Sequence, residues 1–289
     1  MEENNSQLHS TNINPNEKII RMKPQLTTDE KYRLYQEAVQ DPEYDVELFD
    51  TLYAEYFPGK IARTIREDFC GSFFLSNEWV QDDPKKVAYA YDISDEALAW
   101  GQKNHFEKLS SEAQSRLRIK KENVLNAEKL HYDIVVASNF SYFIFKKREE
   151  LKCYFSSVYE SMEGSGLFVL DHFGGPDNFF PNLEEKDVEL DDGREFTYQW
   201  ELESFNPVNH HGKFAIHFKN DETELLYKRV FEYDWRLWML SELIELLEEV
   251  GFKKVRSYWE DDDGEFVYLP EGEGDLDSWV VQIVAMKSD

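Results

Sequence analysis

The sequence predicts an α/β fold: a doubly wound, seven-stranded, mostly parallel sheet with a small antiparallel β insertion after its fifth strand. Three observations carry this expectation. Short apolar runs alternate with amphipathic stretches at helical spacing from about residue 60 to 173, the pattern of repeated strand–helix units. From about Arg194 to Arg236 the period falls to two, with turn residues between the runs, as in antiparallel hairpins. The helical period then returns in LSELIELLEEVGF, ahead of two last strand-like runs.

Residues 1 to 26 are polar, rich in Asn and poor in aromatics, which reads as a disordered tail. Order is expected from TTDEKYRLYQEAVQ, with Thr28 or Asp29 as cap and Tyr32, Tyr35 and Val39 on one helical face. Asp41-Pro42 breaks that helix. A second one carries Leu48, Phe49, Leu52, Tyr53 and Tyr56, and Pro58-Gly59 stops it. The strands KIARTIRED, KKVAYAYD, LRIKKENV, YDIVVASN and GLFVLDHF then follow, the last after a turn at Gly164 to Gly166. The helices between them are SFFLSNEWVQ, DEALAWGQKNHFEKL and KREELKCYFSSVYESM. FTYQWELESF, KFAIHFKN and LLYKRVFEYDWR form the insertion. Ser241 then caps a helix that Gly251 ends, KKVRSYW and SWVVQIVAMK are the last two strands, and the acidic stretch between them begins as a solvated loop. The domain reading is therefore a main domain of residues 27–173 and 237–289, interrupted by an insertion at 174–236.

A chain of 289 residues with 41% hydrophobic and 15% aromatic content can bury an ample core without a disulfide or metal staple. Its 59 acidic and 32 basic residues give a net charge of −27. That surface repels phosphate backbones, so no nucleic-acid partner is expected, and it tolerates a cationic ligand. Most of the acidity reads as a solvated, solubilising surface. No apolar run approaches the length of a membrane span, so no membrane partner is expected. The two cysteines, Cys70 and Cys153, read as free thiols of a reducing cytoplasm. His210 and His211 read as a solvated hairpin turn and not a metal pair, having no acid or cysteine at ligand spacing.

In open α/β sheets ligands sit beyond the carboxyl ends of the strands, near the switch point of the strand order. Here those ends are REDFCGS (Arg66 to Ser72), Asp92, Glu122-Asn123-Val124, Asn139 to Tyr142, and Asp171-His172. Asp92 lies about twenty residues beyond Gly71, where a carboxylate can accept hydrogen bonds from a ribose diol or can simply precede a helix.

Order and spacing together resemble the class I S-adenosylmethionine-dependent methyltransferases over roughly residues 30 to 287. The acid-x-G-x-G-x-G motif of that superfamily falls on Glu67-Asp68-Phe69-Cys70-Gly71-Ser72-Phe73, where only the middle glycine stands. REDFCG, with NFSYFIF and EYDWRLW later, is similar to a bacterial group assigned to methyltransferases by homology, without known acceptors. The resemblance implies a Rossmann-like methyltransferase fold with S-adenosyl-L-methionine as cofactor. Glu67, Phe69, Cys70, Gly71 and Ser72 would line its methionine moiety, Asp92 the ribose, and Ile93, Asn123 and Val124 the adenine, with Asn139 also at the cofactor, while Tyr35 and Gln40 would cap the pocket. Phosphate-free, this cofactor needs one close backbone approach, which Gly71 can give, and not the nest of amides that a pyrophosphate requires. A dinucleotide oxidoreductase is the weaker reading, because GxGxxG is lost.

Methyl transfer needs alignment, exclusion of water and, for a protonated nucleophile, a base. His172 at the fifth strand tip is the candidate base. Asn139 to Tyr142 resembles the N-P-P-Y signature without its prolines, so Asn139 would accept an amine hydrogen and Tyr142 would stack on the acceptor. The insertion would cover a small-molecule or peptide-sized nitrogen or oxygen acceptor. A protein methyltransferase acting on a basic partner, and a non-catalytic module keeping the fold, are the alternatives.

Overall fold

The computed structural model describes residues 25–260, 266–270, 272 and 276–288. The expected tail therefore lies, up to residue 24, outside the described residues. The chain opens with α1 (Thr28–Val39) and α2 (Pro42–Tyr56). Thr27, not Thr28 or Asp29, caps α1, because Glu30 stands three residues on and closes a capping box with it. Asp41 and Pro42, expected only as a break, also start α2. The Asp41 carboxylate accepts the Tyr44 N–H at 3.1 Å, and Pro42 fills a first-turn position that needs no donor.

The alternating part runs β1 (Thr64–Asp68), α3 (Phe74–Asp82), β2 (Val87–Asp92), α4 (Asp95–Asn104), a short α5 (Ser111–Gln114), β3 (Leu117–Lys121), β4 (Tyr132–Ala137), α6 (Arg148–Ser161) and β5 (Met162–Gly174). Next come β6 (Asn182–Glu189), β7 (Glu195–Asn206), β8 (His211–Asn220) and β9 (Leu226–Arg236), then α7 (Leu240–Val250), β10 (Lys253–Glu260), β11 (Phe266–Tyr268) and β12 (Trp279–Ser288). The main sheet has eight strands in the order β11-β10-β12-β5-β4-β1-β2-β3, and β6 to β9 form a separate four-stranded antiparallel sheet. β1 to β5 are mutually parallel, whereas β12 runs antiparallel to both β5 and β10. The order reverses between β1 and β4, which brings the carboxyl ends of β1, β2, β4 and β5 to one edge of the domain.

Four further expectations are corrected. The eighth strand, β11, lies within the expected acidic loop, where Phe266 and Val267 pair opposite Glu260 and Trp259. β6 escaped notice because seven of its eight residues are not buried, an edge strand guarded by charge with no inward face to set a period. The glycines at 164 and 166 make no turn. β5 already starts at Met162, and its register against β4 jumps from Tyr132↔Met162 to Ile134↔Leu167, a bulge held from the other side by Lys287 and Ser288. α7 starts at Leu240, one residue before Ser241, and Glu242 accepts the Met239 N–H.

Helices cover both faces of the main sheet. On one face Leu151, Phe155 and Val158 of α6 and Leu243, Leu246 and Leu247 of α7 pack in one cluster. On the other, Val46, Phe49 and Leu52 of α2 pack with Trp79 and Val80 of α3. No helix among the described residues is long and apolar enough to cross a membrane. α1 lies between the two sheets. Its Leu34 and Ala38 are buried against Val188, Phe196, Ile216 and Phe218 of the smaller sheet, and its Asp29 accepts the indole N–H of Trp100 on α4.

One polar pair is buried in the main core. Arg66 forks onto Asp68 through Nε at 2.7 Å and Nη2 at 2.8 Å, and neither side chain is exposed. Tyr154 donates to Asp68 at 2.8 Å, and Arg66 also donates to Ser161 Oγ and the Val124 carbonyl. With its hydrogen bonds satisfied the pair fixes α6 and the turn after β3 to the end of β1. Removing one partner strands a buried charge, so Arg66→Met is expected to cost about 3–5 kcal/mol, and adding Asp68→Leu to recover most of it. Urea unfolding of the two variants checks this.

Candidate functional site

The turn after β1 builds the site. Gly71 has φ 52°, and Phe69 and Phe73, which occupy the other two glycine positions of the motif, have φ 57° and 51°. All three alternate positions are left-handed, although only one is glycine. Each phenylalanine pays a strain of about 1–2 kcal/mol for that backbone, so packing must hold it there. Phe73 is fully buried, and its ring packs where Gly101 of α4 leaves room: a Cβ at Gly101 would stand 2.7 Å from it and 2.4 Å from the Ser72 carbonyl. Phe69 is held edge-on by Tyr154 and Phe145, with centroids 5.7 and 6.2 Å away.

Three hollows meet around this turn. A cavity of about 520 Å³ is lined by the whole run Glu67 to Ser72, by Tyr35 and Gln40 at its roof, and by Asp92, Asn139 and Asp171 from the neighbouring strand ends. A small cleft of about 70 Å³ holds Ile93, Asn123 and Val124 with Phe69, and shares Asp92 and Phe69 with the first cavity. A second cavity of about 460 Å³ lies beneath the smaller sheet, walled by Tyr198, Trp200, Trp235 and Trp279. Tyr35, Val39, Asn139, Asp171 and Tyr233 line both large cavities.

Asp92 is oriented by backbone. Its Oδ2 accepts the Gly71 N–H at 2.8 Å and its Oδ1 the Ser94 N–H at 2.7 Å, so it ties the first turn to the second strand. Glu67 points to the other face of β1 from Arg66 and Asp68, and its Oε2 accepts both the N–H and the hydroxyl of Ser76, at 3.0 and 2.5 Å. Burial pushes the Glu67 carboxyl up to about 8, against the pull of Ser76. Burial, with Asp171 and Asp41 nearby, raises Asp45 to about 7. Burial likewise raises Asp171 to about 7, opposed by the N–H groups of Phe140 and Asn139. Cys70 is buried, with its thiol pushed up by burial, as befits a packed residue of the turn. Ser72 accepts from Gln36 at 3.0 Å.

Two of the expected catalytic residues lie elsewhere. His172 is fully buried and lines neither cavity. β5 alternates, so the residue that faces the cavities is Asp171 and its neighbour faces the core. The Tyr142 hydroxyl donates to the Asp171 carbonyl at 3.0 Å and lies 3.0 Å from His172 Nδ1, so the imidazole is engaged within the core. Burial lowers the imidazole to about 3, which makes it a poor base at neutral pH. Tyr142 is itself fully buried and cannot stack on an acceptor; Phe140 lines the second cavity instead. Asn123 spends its Oδ1 on the Leu125 N–H at 2.9 Å, capping its own turn. Among the described residues no cluster of His, Cys, Asp and Glu could hold a metal ion. Asp45 was not expected at the site, and Asp171 was expected only as one of a pair with His172 at the fifth strand tip. Choosing between those two needed the strand's facing.

No family model and no curated protein matches the chain in sequence. Solved structures do match in shape. A S-adenosylmethionine-dependent methyltransferase from Clostridium acetobutylicum is 15% identical, with a TM-score of 0.64 over 90% of this chain and 98% of that one. The S-adenosylmethionine-bound amino pentose methyltransferase CalS10 from Micromonospora echinaspora is 10% identical, with a TM-score of 0.64 over 92% and 100%. The sugar N-methyltransferase KedS8 from Streptoalloteichus is 15% identical, with a TM-score of 0.62 over 99% and 100%. The fold is the Rossmann-like one of these methyltransferases. At such identities the likeness is one of architecture, and the residues of the site stand on their own geometry.

Two tests follow from this geometry. A Cβ at Gly71 would meet no protein atom within 4 Å, so Gly71→Ala is expected to cost only the left-handed strain of about 1–2 kcal/mol, whereas Phe73→Ala should cost about 3–5 kcal/mol. Thermal denaturation ranks them. Because the folded state holds the Glu67 proton up to about pH 8 and the unfolded state releases it near 4.5, Glu67 contributes stability at low pH that fades as pH rises between those values. Unfolding measured from pH 5 to 9 should show Glu67→Gln flattening that decline.

Proposed function

We propose that the chain transfers a methyl group from S-adenosylmethionine to a small-molecule nitrogen or oxygen acceptor. The observation that carries this reading is the turn left-handed at Phe69, Gly71 and Phe73, which floors an acid-lined cavity opening onto an aromatic one. The residues fit such a cofactor. Glu67 to Ser72 present backbone and carboxylate to its amino-acid end, Asp92 keeps lone pairs for the ribose hydroxyls, and the cleft between Phe69 and Ile93 takes the adenine. Gln40 supports the fit, since its Oε1 is buried without a hydrogen-bond partner among the described residues and it lines the cavity. When bound, S-adenosylmethionine supplies a methyl group on a sulfonium, already activated for displacement. The acidic lining favours that cation, and no phosphate has to be cradled by the turn.

The chain's own work is alignment and exclusion of water. α1 closes the first cavity from above, pinned to α4 by Lys31–Glu96 at 2.7 Å and to the smaller sheet by Arg194–Glu30 at 2.6 Å. The insertion, residues 174–236, roofs the second cavity, where the acceptor would lie against Tyr198, Trp200 and Trp235. The acceptors named for the similar structures, an amino pentose and a sugar, support a small acceptor over a polymer.

Isothermal titration with S-adenosylmethionine and S-adenosylhomocysteine tests this reading. Both should bind, and Asp92→Ala should weaken them at least about tenfold, the worth of one charge-assisted hydrogen bond of about 1.5 kcal/mol. Affinity for the cationic S-adenosylmethionine should climb from pH 6 to 8.5 as Asp45 and Glu67 ionise, because ligand binding favours their charged forms. A wild-type protein that binds neither compound is a non-catalytic module of the same fold.

A further inference from the structure

Among the described residues Asp171 is the one carboxylate that lines both the first and the second cavity. The other acids of the first cavity, Asp45 and Glu67 among them, do not reach the second, and the second cavity's Glu184 and Glu185 do not reach the first. Asp171 is also held still. Its Oδ2 accepts the Asn139 N–H at 2.7 Å and its Oδ1 the Phe140 N–H at 2.9 Å. Both donors are left-handed non-glycine residues, with φ 56° each, so a strained turn is kept in order to aim two amides at one carboxylate. Each carboxylate oxygen keeps a free lone pair, and among the described residues Asp171 forms no ion pair. A half-buried acid placed where two cavities join, with fixed geometry and no ion-pair partner, is short of a positive partner.

The second cavity says what that partner carries. Trp200 and Trp235, 6.0 Å apart, stand with Tyr233, Tyr198, Trp279 and Phe140 around it. Such faces attract an ammonium, by roughly 0.5–2 kcal/mol each, and also stack on a ring. We propose that the acceptor is a primary or secondary amine borne on a ring, and that Asp171 is the catalytic residue that receives its ammonium and takes its proton. This rests on the methyl-transfer reading above and deepens it. The step balances simply: the N–H bond breaks with its electron pair left on nitrogen, an O–H bond forms on the Asp171 carboxylate, and ammonium plus carboxylate become neutral amine plus carboxylic acid. The freed lone pair is then the nucleophile at the junction of the cavities. An alcohol lacks both the charge that Asp171 calls for and an acidity that a carboxylate can meet. The titratable groups that line these cavities with Asp171 include Asp45 from α2, Tyr35 from α1, Tyr233 from β9 and, in the second cavity, Lys186 of β6. Lys186 is exposed, with its Nζ 5.6 Å from the Tyr198 ring centroid, and partial desolvation holds its ammonium below its ordinary value, which lessens its repulsion of a bound amine.

Calorimetric titration of the full chain saturated with S-adenosylhomocysteine, using cyclohexylamine and cyclohexanol as probes, tests the proposal. The amine is expected to bind at least about tenfold more tightly than the alcohol, and Asp171→Asn to abolish the difference. Cyclohexanol binding the wild type as tightly as the amine overturns the proposal, and does so even where the variant fails to fold. A folded Asp171→Asn that keeps the amine preference overturns it too. Failure of S-adenosylhomocysteine to bind the wild type overturns both readings, whereas cofactor binding without amine preference overturns this one alone.

Discussion

The turn that follows β1 is the constraint on which the rest of the structure depends. It must be left-handed at residues 69, 71 and 73, and two of these are phenylalanine. A phenylalanine stays in that conformation only if its ring gains more from packing than its backbone loses in strain. Phe73 does so in the core between α3 and α4, where a glycine at 101 makes the space, and Phe69 does so against Tyr154, which in turn binds Asp68. The buried Arg66–Asp68 pair therefore acts at a distance, since it positions the tyrosine that positions the phenylalanine that shapes the cavity floor.

The same device recurs at the next strand ends. Asp92 takes the Gly71 N–H, and Asp171 takes the N–H groups of Asn139 and Phe140. In each case a carboxylate at a strand end collects amides that a tight turn exposes. Acids so placed are desolvated, and burial raises Glu67, Asp45 and Asp171 well above the ordinary carboxylate range. The edge of the sheet is thus a place prepared for a cation. Two cavities meet there because the smaller sheet is tied to the larger one through α1, whose exposed ion pairs contribute little individually and whose buried Leu34 and Ala38 hold the assembly together.

Much of this was legible in the residues. The seven strands that carry the main sheet follow from short apolar runs that alternate with stretches of helical period, since β1 and β4 are buried along nearly their whole length, and three strands of the smaller sheet follow from a period of two. β6 and β11 were not legible, because a charged edge strand and a three-residue strand have no inward face long enough to set a period. The bulge in β5 was hidden for a related reason: GSG reads locally as a turn, and pairing with Lys287 and Ser288, with the Tyr53 hydroxyl on the Ser165 carbonyl, holds it in the strand.

The sequence by itself determined the alternation of elements, the end of the sheet where chemistry would gather, and the run Glu67 to Ser72 that lines it. It could not decide between Asp171 and His172, because neighbouring residues on a strand differ only in which face they present, and the facing is fixed by pairing with β4 and β12. Nor could it tell that Phe69 and Phe73 keep the backbone of the glycines they replace. That conformation is unfavourable for an isolated phenylalanine, and only Tyr154, Phe145 and the space beside Gly101, brought together by the tertiary fold, make it the stable one.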